Sequence, residues 1–84
     1  MPRIIVERSF ASPFTQDDFD AVSQRIGGCL DLYGVSWIRS HISADRRRMV
    51  CEYEAPDAQS VRDVQNTAQA TFDRVWSSEL IEPG

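Results

Sequence analysis

The sequence predicts a single α+β domain in which four strands form an antiparallel sheet and two helices cover one face. Three observations predict this class. Short segments rich in β-branched and aromatic residues alternate apolar with polar positions, as strands do. Two intervening segments place apolar residues three and four apart, as amphipathic helices do. The order strand, helix, strand, strand, helix, strand with right-handed crossovers then gives the spatial strand order 4-1-3-2.

The first strand is predicted over residues 3–10, where apolar and polar positions alternate. Ile4 and Val6 are expected to face the helices, and Ile5 and Glu7 to lie on the opposite face of the sheet. This opposite face, which no helix covers, is called the open face below.

The first helix is predicted to begin after Thr15, whose side chain can cap it, with Asp18 at the third helical position. Gly34 is expected to end this helix. The pair Gly27-Gly28 lies inside it and predicts either close approach to the sheet or a kink. Its apolar stripe is Phe19, Val22, Ile26, Cys29, Leu30 and Tyr33.

A hairpin is predicted from strands at 35–43 and 48–55, joined by a polar turn. An even-length turn sets the register. It places three pairs on the helix side: Ile42 with Met49, Ser40 with Cys51, and Ile38 with Tyr53. The open face then receives His41 opposite Val50, Arg39 opposite Glu52, and Trp37 opposite Glu54. An odd-length turn would instead bury carboxylates without partners, which costs several kcal/mol.

Asp57 is predicted to begin the second helix, whose weaker stripe is Val61, Val64, Gln65 and Ala68. A last strand at about 72–81 completes a ferredoxin-like βαββαβ domain that spans residues 1–84. A chain of this length has a thin core.

Composition argues against several classes of partner. The net charge is −4 and all nine basic residues are arginine, so neither a nucleic-acid partner nor a membrane partner is expected. The run Arg46-Arg47-Arg48 is interpreted as a solvated hairpin turn. Cys29 and Cys51 are expected to be reduced core residues. We expect a cytoplasmic protein without a cofactor.

The predicted open face gathers the candidate ligand-binding residues, which are Glu7, Trp37, Arg39, His41 and Glu52. Carboxylates and a histidine can act as acid–base groups or metal ligands. The structural alternative is an ion-pair network in which Arg39 pairs with Glu52 across the strands. Because Ile5, Trp37 and Val50 also lie on this face, pairing with a second copy of the chain is expected to cover it.

Three segments carry a family resemblance: Pro-Arg-Ile-Ile-Val-Glu-Arg at 2–8, Gly-Val-Ser-Trp-Ile-Arg-Ser at 34–40, and Cys-Glu-Tyr-Glu-Ala-Pro at 51–56. Together they resemble small bacterial ferredoxin-like proteins whose characterised branch binds nickel. The resemblance implies a homodimer that holds nickel through histidines on the strands and second helix. At the positions where the resemblance places those histidines, this chain has Arg8, Ser36, Arg39 and Gln65, and its one histidine is His41, so no metal site is predicted.

These features predict a dimeric protein that binds a small molecule or an ion on the open face. The alternative is a cofactor-free enzyme, oxygenase- or isomerase-like, of the dimeric α+β barrel type. A third possibility is a structural protein whose open face is consumed by dimerisation.

Overall fold

A computed structural model describes all 84 residues and contains the predicted order of elements. The strands are β1 (Arg3–Ser9), β2 (Ser36–Ile42), β3 (Arg48–Glu54) and β4 (Arg74–Ser78). The helices are α1 (Gln16–Leu30), a 3-10 turn (Asp31–Tyr33) and α2 (Ala58–Thr67). All strand pairs are antiparallel and the spatial order is β2-β3-β1-β4, which confirms the predicted order. β4 is shorter than the segment predicted for it.

The helix boundaries follow from their caps. Thr15 accepts a hydrogen bond from the Asp18 N–H and the Asp18 carboxylate accepts one from the Thr15 N–H, which confirms the predicted cap as a reciprocal capping box. Asp57 caps α2 by accepting from the N–H and the hydroxyl of Ser60. Gly34 closes the 3-10 turn with φ +66°, a conformation that favours glycine.

The core lies between the sheet and the helices, and α2 supplies more of it than α1. Ile4 and Val6 of β1 are fully buried, and α2 buries Val61, Val64 and Gln65. Only Ile26 of α1 is buried, although its stripe is the stronger one in the sequence. The first helix therefore covers the sheet without filling the space beneath it.

The two glycines inside α1 do not mark a close approach to the sheet. A Cβ atom built on Gly27 or Gly28 meets nothing within 4 Å. Both residues are exposed, so the prediction of close helix–sheet packing at this pair is wrong. One of the two cysteines also differs from expectation: Cys51 is buried as predicted, whereas Cys29 is only half-buried.

The hairpin keeps the predicted register at its turn end and loses it at the other. Ile42 pairs with Met49 and Ser40 with Cys51, as predicted, but the register shifts between Trp37 and Arg39. Trp37 pairs with Tyr53 there, in place of Ile38. The extra residue is a β-bulge, and it reverses the face on which Trp37 lies.

Candidate functional site

Four of the five predicted site residues lie on the open face. Glu52 is the centre of an ion network there, with Arg39 Nε at 4.0 Å, His41 Nε2 at 3.6 Å and Arg3 Nη1 at 3.0 Å. The Arg39–Glu52 pair confirms the predicted cross-strand ion pair. Glu7 is not part of this network, because its carboxylate accepts from Trp76 Nε1 at 2.7 Å.

Trp37, the fifth predicted site residue, lies on the helix side of the sheet. Its ring packs against Phe19 of α1 with centroids 5.7 Å apart, and its Nε1 donates to Ser40 Oγ at 2.9 Å. The prediction that it shares a face with Arg39 is wrong. Because of the bulge, the indole lies in apolar surroundings beneath α1. Burial of its large apolar surface there is more favourable than exposure on the open face.

The helix side contains a partly open cavity of about 370 Å³ between α1 and the sheet. Its walls are mainly aromatic and aliphatic, including Phe10, Phe14, Phe19, Val22, Trp37 and Met49. Cavities of this size and character are typical of small-molecule sites. Because this cavity separates α1 from the sheet, the apolar residues of the α1 stripe are only partly buried.

Arg8 lines this cavity and is buried, with 7% of its surface exposed. Its Nη1 donates to the Thr71 carbonyl at 2.9 Å and its Nη2 to Gln65 Oε1, also at 2.9 Å. Tyr53 and Cys51 provide two longer contacts to Nη2, at 3.5 Å and 3.8 Å. Every one of these acceptors is uncharged or a thiol, and no carboxylate forms a salt bridge with Arg8.

Two buried polar atoms on the helix side of the sheet lack hydrogen-bond partners. The hydroxyl of Ser23 lines the cavity, is buried and is unpaired. Gln65 Nε2 is also buried and unpaired; Gln65 lies outside the cavity wall, and its Oε1 accepts from Arg8. Since buried polar atoms are nearly always paired, the unpaired Ser23 hydroxyl in the cavity wall requires an explanation.

Tyr53 does not supply the missing negative charge. Burial raises the pKa of its phenol above the ordinary value, and the nearby Cys51 acts in the same direction. Arg8 and Gln65 oppose this shift without reversing it. The phenol is therefore protonated at neutral pH, and the charge of Arg8 stays uncompensated by this neighbour.

The remaining charged groups in the cavity wall do not balance Arg8 either. Asp18 is the one acidic residue there, and its carboxylate is committed to the capping box. Hydrogen bonds from Thr15 lower the pKa of Asp18, which keeps it ionised at its helix terminus. Arg25 adds a second cation whose Nε donates to the Ala68 carbonyl at 2.8 Å.

The sequence interpretation missed Arg8 as a site residue, although a signal for it was present. Arg8 continues the alternation of Ile4 and Val6 and so belongs to the helix side of β1. Arg8 entered the sequence interpretation only as one of the positions without a histidine. A charged residue at a core-facing position is rare enough to mark a candidate site.

The strand order, the two helices on one face and the cavity beneath α1 define a small ferredoxin-like α+β protein. The family model described as "Nickel responsive protein SCO4226-like" matches residues 5–77, and the chain belongs to this family. The crystal structure of SCO4226 from Streptomyces coelicolor A3(2) is similar, with a TM-score of 0.84 and 16% sequence identity. The alignment covers 95% of this chain and 99% of that one, and it shows a shared fold. A search of curated proteins finds no match.

Proposed function

We propose that this protein binds a small organic molecule in the cavity between α1 and the sheet. The observation that carries the proposal is the cavity itself: about 370 Å³ of partly open space between α1 and the sheet, with mainly apolar walls. A ligand with an apolar body would bury these walls, and burial of apolar surface is favourable.

Binding is favoured over the enzymatic alternative by the side chains that face the cavity. Neither a histidine nor an unengaged carboxylate lines it, so an obvious general base is missing. The groups present are a guanidinium, a neutral phenol and hydroxyls, which hold and orient a ligand.

Nickel is a poor fit to the residues of this chain, despite the description of the family. His41 is the one histidine, and its carboxylate neighbour Glu52 is already engaged by Arg3 and Arg39. No group of three potential ligands from histidine, cysteine, aspartate and glutamate comes together anywhere in the chain. Nickel sites in proteins need such a set of convergent donors.

The cavity proposal is tested with 1-N-phenylnaphthylamine, an uncharged probe that fluoresces in apolar surroundings. We expect saturable binding at one probe per chain. Val22→Phe places a ring in the cavity and should weaken binding at least about tenfold, because the added ring and the probe require the same space. Leu32→Phe is the matched control, since Leu32 is 73% exposed and lies outside the cavity wall. Unsaturable binding, or equal loss in both variants, would contradict the proposal.

We also propose that the open face is the interface of a homodimer. Val50 and Trp76 are exposed on it at 38% and 43%, and Ile5 lies between their strands. The adjacent Glu52 is largely neutralised by Arg3 within the chain, which lowers the cost of removing this face from water. A second copy would cover the apolar strip and leave the cavity on the outer side.

The dimer proposal is tested by light scattering at micromolar concentration. The wild-type protein should give the mass of two chains, and Val50→Arg should give the mass of one, because it places a charged side chain in the apolar strip, where dimerisation would have to remove that charge from water. Leu32→Arg, the same kind of change on another surface, should stay dimeric. A monomer mass for the wild type would rule the proposal out.

A further inference from the structure

The cavity wall combines an apolar surface with one buried cation that has no counter-charge. Arg8 is 93% removed from water, and its Nε makes no hydrogen bond within the chain. All four salt bridges of the protein lie on the open face, on the other side of the sheet. A buried charge without a partner is strongly unfavourable, which makes Arg8 a preformed site for an anion.

The arrangement of polar groups indicates what kind of anion fits. Arginine presents a planar fork of donors that matches a carboxylate, and the unpaired Ser23 hydroxyl can donate a further hydrogen bond from the same cavity wall. The one buried guanidinium, that of Arg8, balances a single negative charge, since Arg25, the other cation of the cavity wall, is exposed and donates through Nε to the Ala68 carbonyl. A phosphate, which carries nearly two charges at neutral pH, would leave an excess charge among apolar side chains.

The apolar walls indicate the body of the ligand. Phe10 and Phe14 stack with ring centroids 4.4 Å apart, and Phe19 and Trp37 form a tilted pair at 5.7 Å. All four rings line the cavity. Aromatic rings prefer offset or edge-on contact with other aromatic rings, so these walls favour an aromatic ligand body over a polar one.

We propose that the ligand is an aromatic monocarboxylate whose carboxylate binds Arg8 and whose ring lies among the four aromatic side chains. This proposal rests on the proposed function, since both use the same cavity. It adds the charge and the class of the ligand.

The test compares 1-naphthaleneacetate with 1-naphthaleneacetamide by isothermal titration calorimetry at neutral pH. The two probes share a ring system and differ in charge. We expect the acid to bind at least about tenfold more tightly, the value typical of one hydrogen-bonded contact to a charged group. Arg8→Met should remove this preference and leave the affinity for the amide unchanged. Arg62→Met is the matched control, because Arg62 also donates to a backbone carbonyl but lies outside the cavity wall.

Gln65→Glu is a second variant that keeps the cavity wall intact. It places a carboxylate where Gln65 Oε1 now accepts from Arg8, so the guanidinium gains an internal counter-charge. We expect the acid to lose its preference in this variant as well, while the amide binds as before. This variant tests the proposal even where Arg8→Met fails to fold.

The outcomes separate the two proposals. Equal affinities for acid and amide in the wild-type protein would overturn the carboxylate proposal and leave the cavity proposal standing. A preference for the acid that survives both Arg8→Met and Gln65→Glu would also overturn it. Absence of binding by the acid, the amide and 1-N-phenylnaphthylamine would overturn both proposals together.

Discussion

The buried contact between Arg8 and Gln65 is expected to couple their contributions to stability, and a double-mutant cycle measures this coupling. The variants are Arg8→Met, Gln65→Leu and the combination of both, each of which replaces a polar side chain with a shorter apolar one. Arg8 Nη2 donates to Gln65 Oε1 at 2.9 Å, and Gln65 is fully buried. The pair therefore satisfies the condition under which residues in contact are non-additive.

The magnitude follows from the charge and the burial. Loss of Gln65 alone leaves a buried guanidinium with one short hydrogen bond, to Thr71, and should cost about 1–3 kcal/mol. Loss of Arg8 alone leaves both ends of the Gln65 amide unpaired. Removal of both partners creates neither defect, so the combined variant should be more stable than additivity predicts, by about 1.5–3 kcal/mol.

Urea unfolding followed by circular dichroism measures the four free energies of unfolding. In a domain of this size 1 kcal/mol corresponds to about 4–8 °C in Tm, so thermal unfolding gives an independent check. Gln59→Leu is the matched control: Gln59 lies exposed on the same helix, and its substitution should change stability by no more than about 0.5 kcal/mol. Additivity of Arg8→Met and Gln65→Leu within about 0.5 kcal/mol would refute the reasoning.

Three further predictions concern other parts of the molecule. Gly27→Ala should stabilise the protein by about 1 kcal/mol in thermal unfolding, because the added methyl meets nothing, while Gly34→Ala should destabilise it at φ +66°; loss of stability in both would contradict the placement of Gly27. Hydrogen bonds from Ser60 lower the pKa of Asp57, so its stabilising contribution is present above about pH 4 and disappears as the pH falls further. Asp57→Asn keeps the cap without this titration, and its Tm relative to wild type should therefore rise on acidification; a constant difference from pH 7 to pH 2 would exclude it. Nickel binding should be weak, and submicromolar stoichiometric binding by calorimetry, abolished by His41→Ala, would show that the open face supplies donors we have not assigned.

The sequence predicted the architecture because the signals for it are local. The caps at Thr15 and Asp57 and the alternation around Ile4 and Val6 depend on neighbours a few residues away. Strand order then follows from general connection rules. The pairing of Ile42 with Met49 was likewise predictable from the length of the turn alone.

The site was less predictable because it depends on contacts between distant segments. The bulge at Ile38 allows Trp37 to pack against Phe19, which lies eighteen residues earlier in the chain. No pattern among neighbouring residues predicts that contact. The importance of Arg8 follows from the absence of an acid within reach, which only the assembled structure shows. The open-face ion pair of Arg39 and Glu52 was predictable because directly opposed residues meet once the register is known.

The bulge also makes one position of the sheet dispensable. On either side of Ile38 the ladder is complete, with Trp37 paired to Tyr53 and Arg39 paired to Glu52. A chain lacking Ile38 would therefore form an unbroken ladder in which every other side chain keeps its partner and its face. A deletion inside a strand normally transfers all residues beyond it to the opposite side. Deletion of Ile38 would instead remove only the bulged residue and leave the other side chains on their present faces. Sequences that differ by a one-residue gap at this point can therefore have the same cavity.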